Sequence, residues 1–318
     1  MKVGILGAGA YAIALADIII SNNHKVTIWS KFEEEINYLR KNRVIKNFND
    51  YVIPNDIMFT NDLKTVMNND LIIFAVPGDF INDTSLSIKH LVYNQHFCIA
   101  SKGMAKDKTL FQIVKDNINT NNIGVISGPT FAVDIVKKVP IGISIASLNN
   151  DTTQIINKAL KCDRVGVDIN NDIIGISICG SIKNVIAIGN GIINGLNLPI
   201  STQSLFITKT INEIKEIIKF YGGDENTVIS LAGIGDLILT CTSNKSRNFS
   251  LGLMIGKKES KELIEGYIKN TTIEGITALR QIEDIILCKK INIPIINCIY
   301  NIIYNDDNID NLIKIITK

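Results

Sequence analysis

Near its amino terminus the chain runs Val3-Gly4-Ile5-Leu6-Gly7-Ala8-Gly9-Ala10-Tyr11-Ala12, an apolar run that ends in a Gly-x-Gly-x-x-Ala turn and opens into Ala-rich sequence. That order constrains the fold more than any other feature. Gly7 permits a tight turn, Gly9 lets the backbone approach a pyrophosphate, and Ala12 keeps the following helix close on the strand. The first N–H groups of that helix, and its positive dipole end, then face the phosphates. Alone, a glycine fingerprint is weak. Between a strand and a helix it predicts a dinucleotide-binding βαβ unit rather than a glycine-rich structural turn.

Similar units follow. Strands are predicted at Val3–Leu6, Val26–Trp29, Leu71–Ala75, Phe97–Ala100, Gly124–Ser127, Gly142–Ala146 and Arg164–Val167, with helical sequence between them. Continuous apolar runs such as Leu71-Ile72-Ile73-Phe74-Ala75-Val76 suit a sheet covered on both faces. Their alternation with helices predicts a parallel, doubly wound sheet. The second strand ends in Trp29-Ser30-Lys31, where an NAD site would place an acidic residue on the ribose. A serine and a lysine suit a 2′-phosphate instead, which favours NADP over NAD, although Glu33, Glu34 and Glu35 follow closely.

After Asn170 the strand signals thin out, so a boundary is expected there: a dinucleotide-binding domain over 1–170 and a helical substrate domain over 171–318. Helices are predicted at Ile173–Asn194, Ser201–Phe220, Ser246–Lys257 and Glu274–Lys289, and the glycines at 175, 180, 189, 191 and 195 suggest close helix packing. With 318 residues, 46% hydrophobic and 20% charged, the chain is long enough for two cores. Lys+Arg number 33 against Asp+Glu 31, and the interspersed signs give no basic field of the kind nucleic acid needs.

The six cysteines (Cys98, Cys162, Cys179, Cys241, Cys288 and Cys298) form no CxxC pair and read as free thiols of a reducing, cytoplasmic compartment. The three histidines, His24, His90 and His96, have no metal-ligand spacing, so no metal is expected. Val3–Ile20 resembles a signal-peptide core, but its glycines and Asp17 fit a strand, turn and helix better. No stable membrane insertion is expected.

Reduction of a carbonyl by hydride needs a proton donor within reach of the oxygen. The second half contains no histidine, which excludes a substrate-domain histidine as that donor. The outstanding candidate is Lys183 in Gly180-Ser181-Ile182-Lys183-Asn184, on an apolar helix where a desolvated amine loses its proton near neutral pH.

Several longer motifs lie in order along the chain. They are Ser127-Gly128-Pro129-Thr130-Phe131-Ala132, Lys183-Asn184-Val185-Ile186-Ala187-Ile188-Gly189, Gly233-Ile234-Gly235-Asp236-Leu237, Leu239-Thr240-Cys241-Thr242, Ser246-Arg247-Asn248 and Glu274-Gly275. Together they resemble the bacterial NAD(P)-dependent glycerol-3-phosphate dehydrogenase family over nearly the whole chain. The family is similar in fold to 6-phosphogluconate dehydrogenase, a Rossmann-type parallel-sheet domain followed by an all-helical one. The resemblance implies reversible reduction of dihydroxyacetone phosphate to sn-glycerol 3-phosphate, for phospholipid synthesis. It also implies a small phosphorylated substrate, and it is compatible with a homodimer.

By the same resemblance, Lys183 would be the proton donor or acceptor, and Lys102 would touch both substrate and cofactor. Gly128, Thr130 and Asp236 would line the substrate site, with Asp236 beside Lys183. Ser246, Arg247 and Asn248 would hold the phosphate end, with Arg247 also reaching cofactor. Gly7, Gly9, Ala10, Tyr11, Ala12, Lys31, Ala132, Thr272 and Glu274 match cofactor positions. Helix capping by Ser246 with a solvated Arg247 is an equally ordinary reading of those residues taken alone.

The sequence departs from the family at Ala10, where serine is common, at Ala12, where a third glycine is usual, and at Gly78-Asp79, where Ser-Gln usually follows Val-Pro. The alternatives are a β-hydroxyacid dehydrogenase or ketopantoate reductase, and a non-catalytic dinucleotide-binding sensor. The β-hydroxyacid group favours an asparagine four residues after the lysine, where this chain has Ala187.

Overall fold

Strands whose side chains are apolar on both faces have to be covered on both faces, and the first half of the chain meets that demand with one eight-stranded sheet. In the computed structural model, which describes residues 1–46, 48, 50–105, 108–287 and 291–318, these strands are β1 (Lys2–Leu6), β2 (Lys25–Trp29), β3 (Ile57–Thr60), β4 (Leu71–Phe74), β5 (His96–Ile99), β8 (Ile123–Ser127), β9 (Ile141–Ser147) and β10 (Val165–Asn170). A separate hairpin pairs β6 (Met104–Ala105) with β7 (Lys108–Thr109). The sheet order is β10-β9-β8-β5-β4-β1-β2-β3. Val3, Ile5, Ile28, Leu71, Ile73 and Ile143 are fully buried in it.

The chain forms two compact units: Met1–Ser101 with Leu110–Ile173, and Lys102–Thr109 with Ile174–Lys318. The first holds the sheet. All of its strand pairs are parallel except β8 and β9, which run antiparallel with Val125 opposite Ala146, a departure from the wholly parallel sheet that the alternation predicts. The only helix between those strands is Ala132–Val136. A five-residue helix rises about 7.5 Å, less than half the length of a five-residue strand at about 3.3 Å per residue. The chain therefore returns alongside β8 instead of crossing over. Strand β3 escapes sequence reading because it is a short edge strand with Met58 exposed, so no continuous apolar run marks it.

Among the described residues, the second unit is helical apart from the paired strands β6 and β7. Its central helix, Ile173–Gly195, is long and apolar enough to cross a membrane by composition, yet 89% of its most apolar window is buried inside the protein. Around it lie Ile200–Phe220, Arg247–Gly256, Lys261–Asn270, Pro294–Tyr304 and Asp310–Ile316. The helix expected at Glu274–Lys289 is broken: Ile282 leaves helical geometry (φ −101, ψ 11), separating Glu274–Gln281 from Glu283–Leu287. Residues 288 and 289, and with them Cys288, lie outside the described residues. Glu213 caps a neighbouring helix from the side, its carboxylate accepting the N–H groups of Ile295 at 2.7 Å and Ile296 at 2.9 Å.

Close backbone packing joins Ile173–Gly195 to Arg247–Gly256. A Cβ at Gly191 would lie 2.2 Å from the Phe249 carbonyl oxygen, and one at Gly252 only 2.0 Å from that of Ile188. Gly195 and Gly256 face each other in the same way one turn on. Backbone atoms cannot rotate aside as a side chain can, so these positions accept hydrogen alone. The expected result for Gly252→Ala is a loss of about 1–3 kcal/mol or more in urea unfolding. Gly266→Ala, on an open helix face with nothing within 4 Å, should be neutral or stabilising. Equal stability of the two variants would contradict this packing.

Candidate active site

Lys183 sits mid-way along the central helix, 5% exposed among Cys179, Ile182, Ile186 and Ala187, all buried. An ammonium group in such surroundings needs a counter-charge, and Asp236 supplies it. The segment before Asp236 makes a wide turn over Leu231–Gly235, in which Gly233 comes so close to Val228 that a Cβ would lie 2.1 Å from the Val228 carbonyl oxygen. That turn delivers Asp236, with no exposure at all, to the start of the helix Asp236–Cys241. Oδ1 of Asp236 forms an ion pair with Lys183 Nζ, while Oδ2 faces Lys102 Nζ at 3.3 Å. Thr240 Oγ1 donates to the Asp236 carbonyl at 2.7 Å and lies 3.4 Å from Oδ1.

Lys102 arrives by a different route. Gly103 takes φ +135, a left-handed geometry that a side chain would strain. The β6–β7 hairpin beyond it is tied to this unit by the Met104 N–H donating to Gln281 Oε1 at 2.9 Å. Two ammonium groups thus meet at one buried carboxylate. Burial pushes the Lys183 amine down from its ordinary value to about 8, and Lys102 pushes the same way against the opposing pull of Asp236. A lysine so placed exchanges its proton near physiological pH.

A second network adjoins it. Asn184, the residue after Lys183, donates through Nδ2 to Glu274 Oε2 at 2.9 Å, and its Oδ1 accepts from Asn248 Nδ2 at 3.0 Å. Asn248 Oδ1 in turn accepts the Gly275 N–H at 2.8 Å. Asn184 and Asn248 are both buried. Ser246 is the N-cap of the helix Arg247–Gly256, its hydroxyl accepting the Phe249 N–H at 3.2 Å. Arg247, at the first helical position, is exposed, as is Thr272 ahead of Glu274.

The remaining expected residues belong to the sheet-bearing unit. Gly7 has φ +115, and a Cβ there would lie 2.6 Å from the Ala75 carbonyl oxygen, so the turn demands glycine. At Gly9 a Cβ would meet nothing within 4 Å. Open space therefore stands directly ahead of the helix Ala10–Ser21, whose N-cap Gly9 has no side chain to satisfy its first N–H groups. A dinucleotide pyrophosphate fits this cradle. Ala12 is buried against the sheet, and Tyr11 OH lies 3.4 Å from Thr130 Oγ1. That contact links the fingerprint helix to the Gly128-Pro129-Thr130 loop. A Cβ at Gly128 would lie 2.5 Å from the Gly142 carbonyl oxygen. Ala132 opens the short helix after that loop, and Lys31 is exposed beyond β2.

Comparison with known proteins agrees along the full length. Residues 2–153 match the family model described as NAD-dependent glycerol-3-phosphate dehydrogenase N-terminus, and residues 172–314 match its C-terminal counterpart. The glycerol-3-phosphate dehydrogenase (NAD(P)+) of Thermoanaerobacter sp. strain X514 is 32% identical, over 97% of this chain and 94% of that protein. The chain belongs to the glycerol-3-phosphate dehydrogenase family. Its relative from Fusobacterium nucleatum is 33% identical over 97% of this chain and 94% of its own length. The crystal structure of glycerol-3-phosphate dehydrogenase from Coxiella burnetii superposes with a TM-score of 0.92 at 28% identity, covering 100% of this chain and 98% of that one.

Of the residues that the family resemblance singles out, the structure brings Lys102, Lys183 and Asp236 into one cluster, and joins Glu274 to Asn248 through Asn184. The part of Asn184 as connector was not read from the sequence, nor was that of Thr240. Both lie inside quoted motifs, but a helix-interior asparagine or threonine carries no local signal of what it touches. Asn248 uses both ends of its amide on the protein. Asn248→Ala should therefore lower stability by about 1–3 kcal/mol in urea unfolding, because Asn184 Oδ1 and the Gly275 N–H stay buried without partners. Unchanged stability would show that these bonds are absent in solution.

Proposed function

We propose that the protein interconverts dihydroxyacetone phosphate and sn-glycerol 3-phosphate with NAD(P)H, Lys183 being the group that gives and takes the proton. The observation that carries this reading is the buried cluster of Lys183, Asp236 and Lys102 in a chain of this family. In the direction of reduction, the carbonyl carbon gains a hydride and the carbonyl oxygen gains the Lys183 Nζ proton, giving an alcohol and a neutral amine that is recharged from solvent. A nicotinamide cofactor held at the Gly7 and Gly9 turn would supply the hydride for reduction and take it up in the reverse direction.

Asp236 orients the Lys183 ammonium and favours its charged form, while burial and Lys102 favour proton release. Lys102 also offsets charge developing on the substrate oxygen. Arg247, exposed at a helix start, has a planar fork suited to phosphate oxygens. The cradle at Gly7 and Gly9 would hold the pyrophosphate. Tyr11, Ala132, Thr272 and Glu274 are cofactor contacts in the same reading, and Gly128 and Thr130 contact substrate. The product supplies glycerophospholipid synthesis. A cytoplasmic location and a homodimer rest on the sequence reading and the resemblance alone.

The test is absorbance at 340 nm as dihydroxyacetone phosphate is added to enzyme and reduced nicotinamide cofactor, with ketopantoate and unphosphorylated dihydroxyacetone in parallel. Loss of absorbance with the phosphate ester only is the expected outcome, and turnover of ketopantoate instead would replace this reading. Lys183→Ala should lower kcat at least ~10²-fold while dinucleotide binding persists. Near-normal turnover in that variant would remove Lys183 from the chemistry.

A further inference from the structure

Strand β2 ends at Trp29, whose carbonyl oxygen accepts the Gly7 N–H at 2.8 Å. The residue that follows, Ser30, therefore stands beside the fingerprint turn, where folds of this kind read the adenosine ribose. The 2′-position of that ribose distinguishes NAD, with a hydroxyl, from NADP, with a phosphate. From the sequence alone Ser30 and Lys31 favour the phosphate, but the geometry redirects Ser30. Its side chain is 5% exposed, and its one hydroxyl proton is given to Glu35 Oε2 at 2.5 Å, while its oxygen accepts the Phe32 N–H at 3.2 Å. Ser30 thus holds a carboxylate at the end of β2 and has no proton left to offer a phosphate.

We infer that Glu35, held by Ser30, is the residue that selects the cofactor, and that it selects NAD(H) over NADP(H). This rests on the dehydrogenase reading above. A carboxylate beside the ribose accepts hydrogen bonds from its hydroxyls and repels a 2′-phosphate of about two negative charges. The surrounding charge adds to the repulsion. Glu33, Glu34 and Glu35 occupy the first turn of the helix Glu33–Asn42, all three exposed, and the exposed Lys31 precedes them. That helix begins at Phe32 without a side-chain cap, so its positive end is the other attraction a phosphate would find. Three carboxylates in its first turn already complement that end.

Direct binding of NADH and NADPH to the full chain, followed by nicotinamide fluorescence without substrate, tests this. The unsubstituted protein should bind NADH at least about tenfold more tightly, a difference of roughly 1.4 kcal/mol. Glu35→Gln keeps an oxygen for Ser30 but removes the charge. It should tighten NADPH several-fold and leave NADH within about twofold, and the gain for NADPH should shrink as salt is raised, because what is removed is a charge repulsion that salt screens. Ser30→Ala, which frees Glu35, should also narrow the preference. Equal or tighter binding of NADPH by the unsubstituted protein would overturn the inference, as would an unchanged ratio in Glu35→Gln. Failure to bind either dinucleotide would instead overturn the cofactor reading on which it rests.

Discussion

A lysine and an aspartate, each almost wholly withdrawn from water, are the pair around which the helical unit is arranged. Moving two ions out of solvent costs several kcal/mol for each, and their attraction repays this only when the geometry is held closely. Lys183 and Asp236 come from elements far apart in sequence, so the scaffold has to supply that geometry. It does so through the buried central helix, the wide turn over Leu231–Gly235 and the bond from Thr240 to the Asp236 carbonyl. The helix crossing at Gly191 and Gly252 fixes Arg247–Gly256 against the same helix. Asn248, near the start of that element, then reaches Asn184 beside the lysine. Positioning and packing are thus one problem here, solved with glycine where backbones meet and amides where side chains do.

Two opposing influences bear on the protonation of the pair. Burial and the neighbouring Lys102 favour the neutral amine, while Asp236 favours the charged one. A lysine left at its ordinary value would hold its proton too firmly to give and retake it near neutrality. One buried alone would shed it altogether. Sharing one carboxylate with a second ammonium group keeps the amine between these limits.

Much of this was legible in the sequence, and the reasons are physical. The fingerprint turn was readable because Gly7 must take a left-handed angle and press against Ala75, which no other residue allows. The strands that lie inside the sheet announced themselves as apolar runs. Lys183 stood out as a charge on an apolar helix, and the motifs around it supplied the family. Less accessible were features set by tertiary contact: the edge strand β3, the antiparallel return of β9, the break at Ile282, and the amide relay through Asn184. Ser30 is the sharpest case. Its identity suggested a phosphate contact, whereas its partner, five residues on, turns it into a support for a carboxylate.

The most direct test of the central claim is the pH dependence of kcat/KM for dihydroxyacetone phosphate reduction and for glycerol 3-phosphate oxidation, in the unsubstituted enzyme and in Asp236→Asn. In the proposed reaction, reduction needs the charged amine and oxidation the neutral one. Reduction should therefore fall and oxidation rise through one shared midpoint near 8. Removing the carboxylate withdraws the influence that holds the proton on, so the midpoint in Asp236→Asn should move to lower pH. Profiles flat from about pH 7 to 10, across the span where a perturbed lysine titrates, or a midpoint moving upward in the variant, would contradict the assignment of Lys183 as the proton-transfer group.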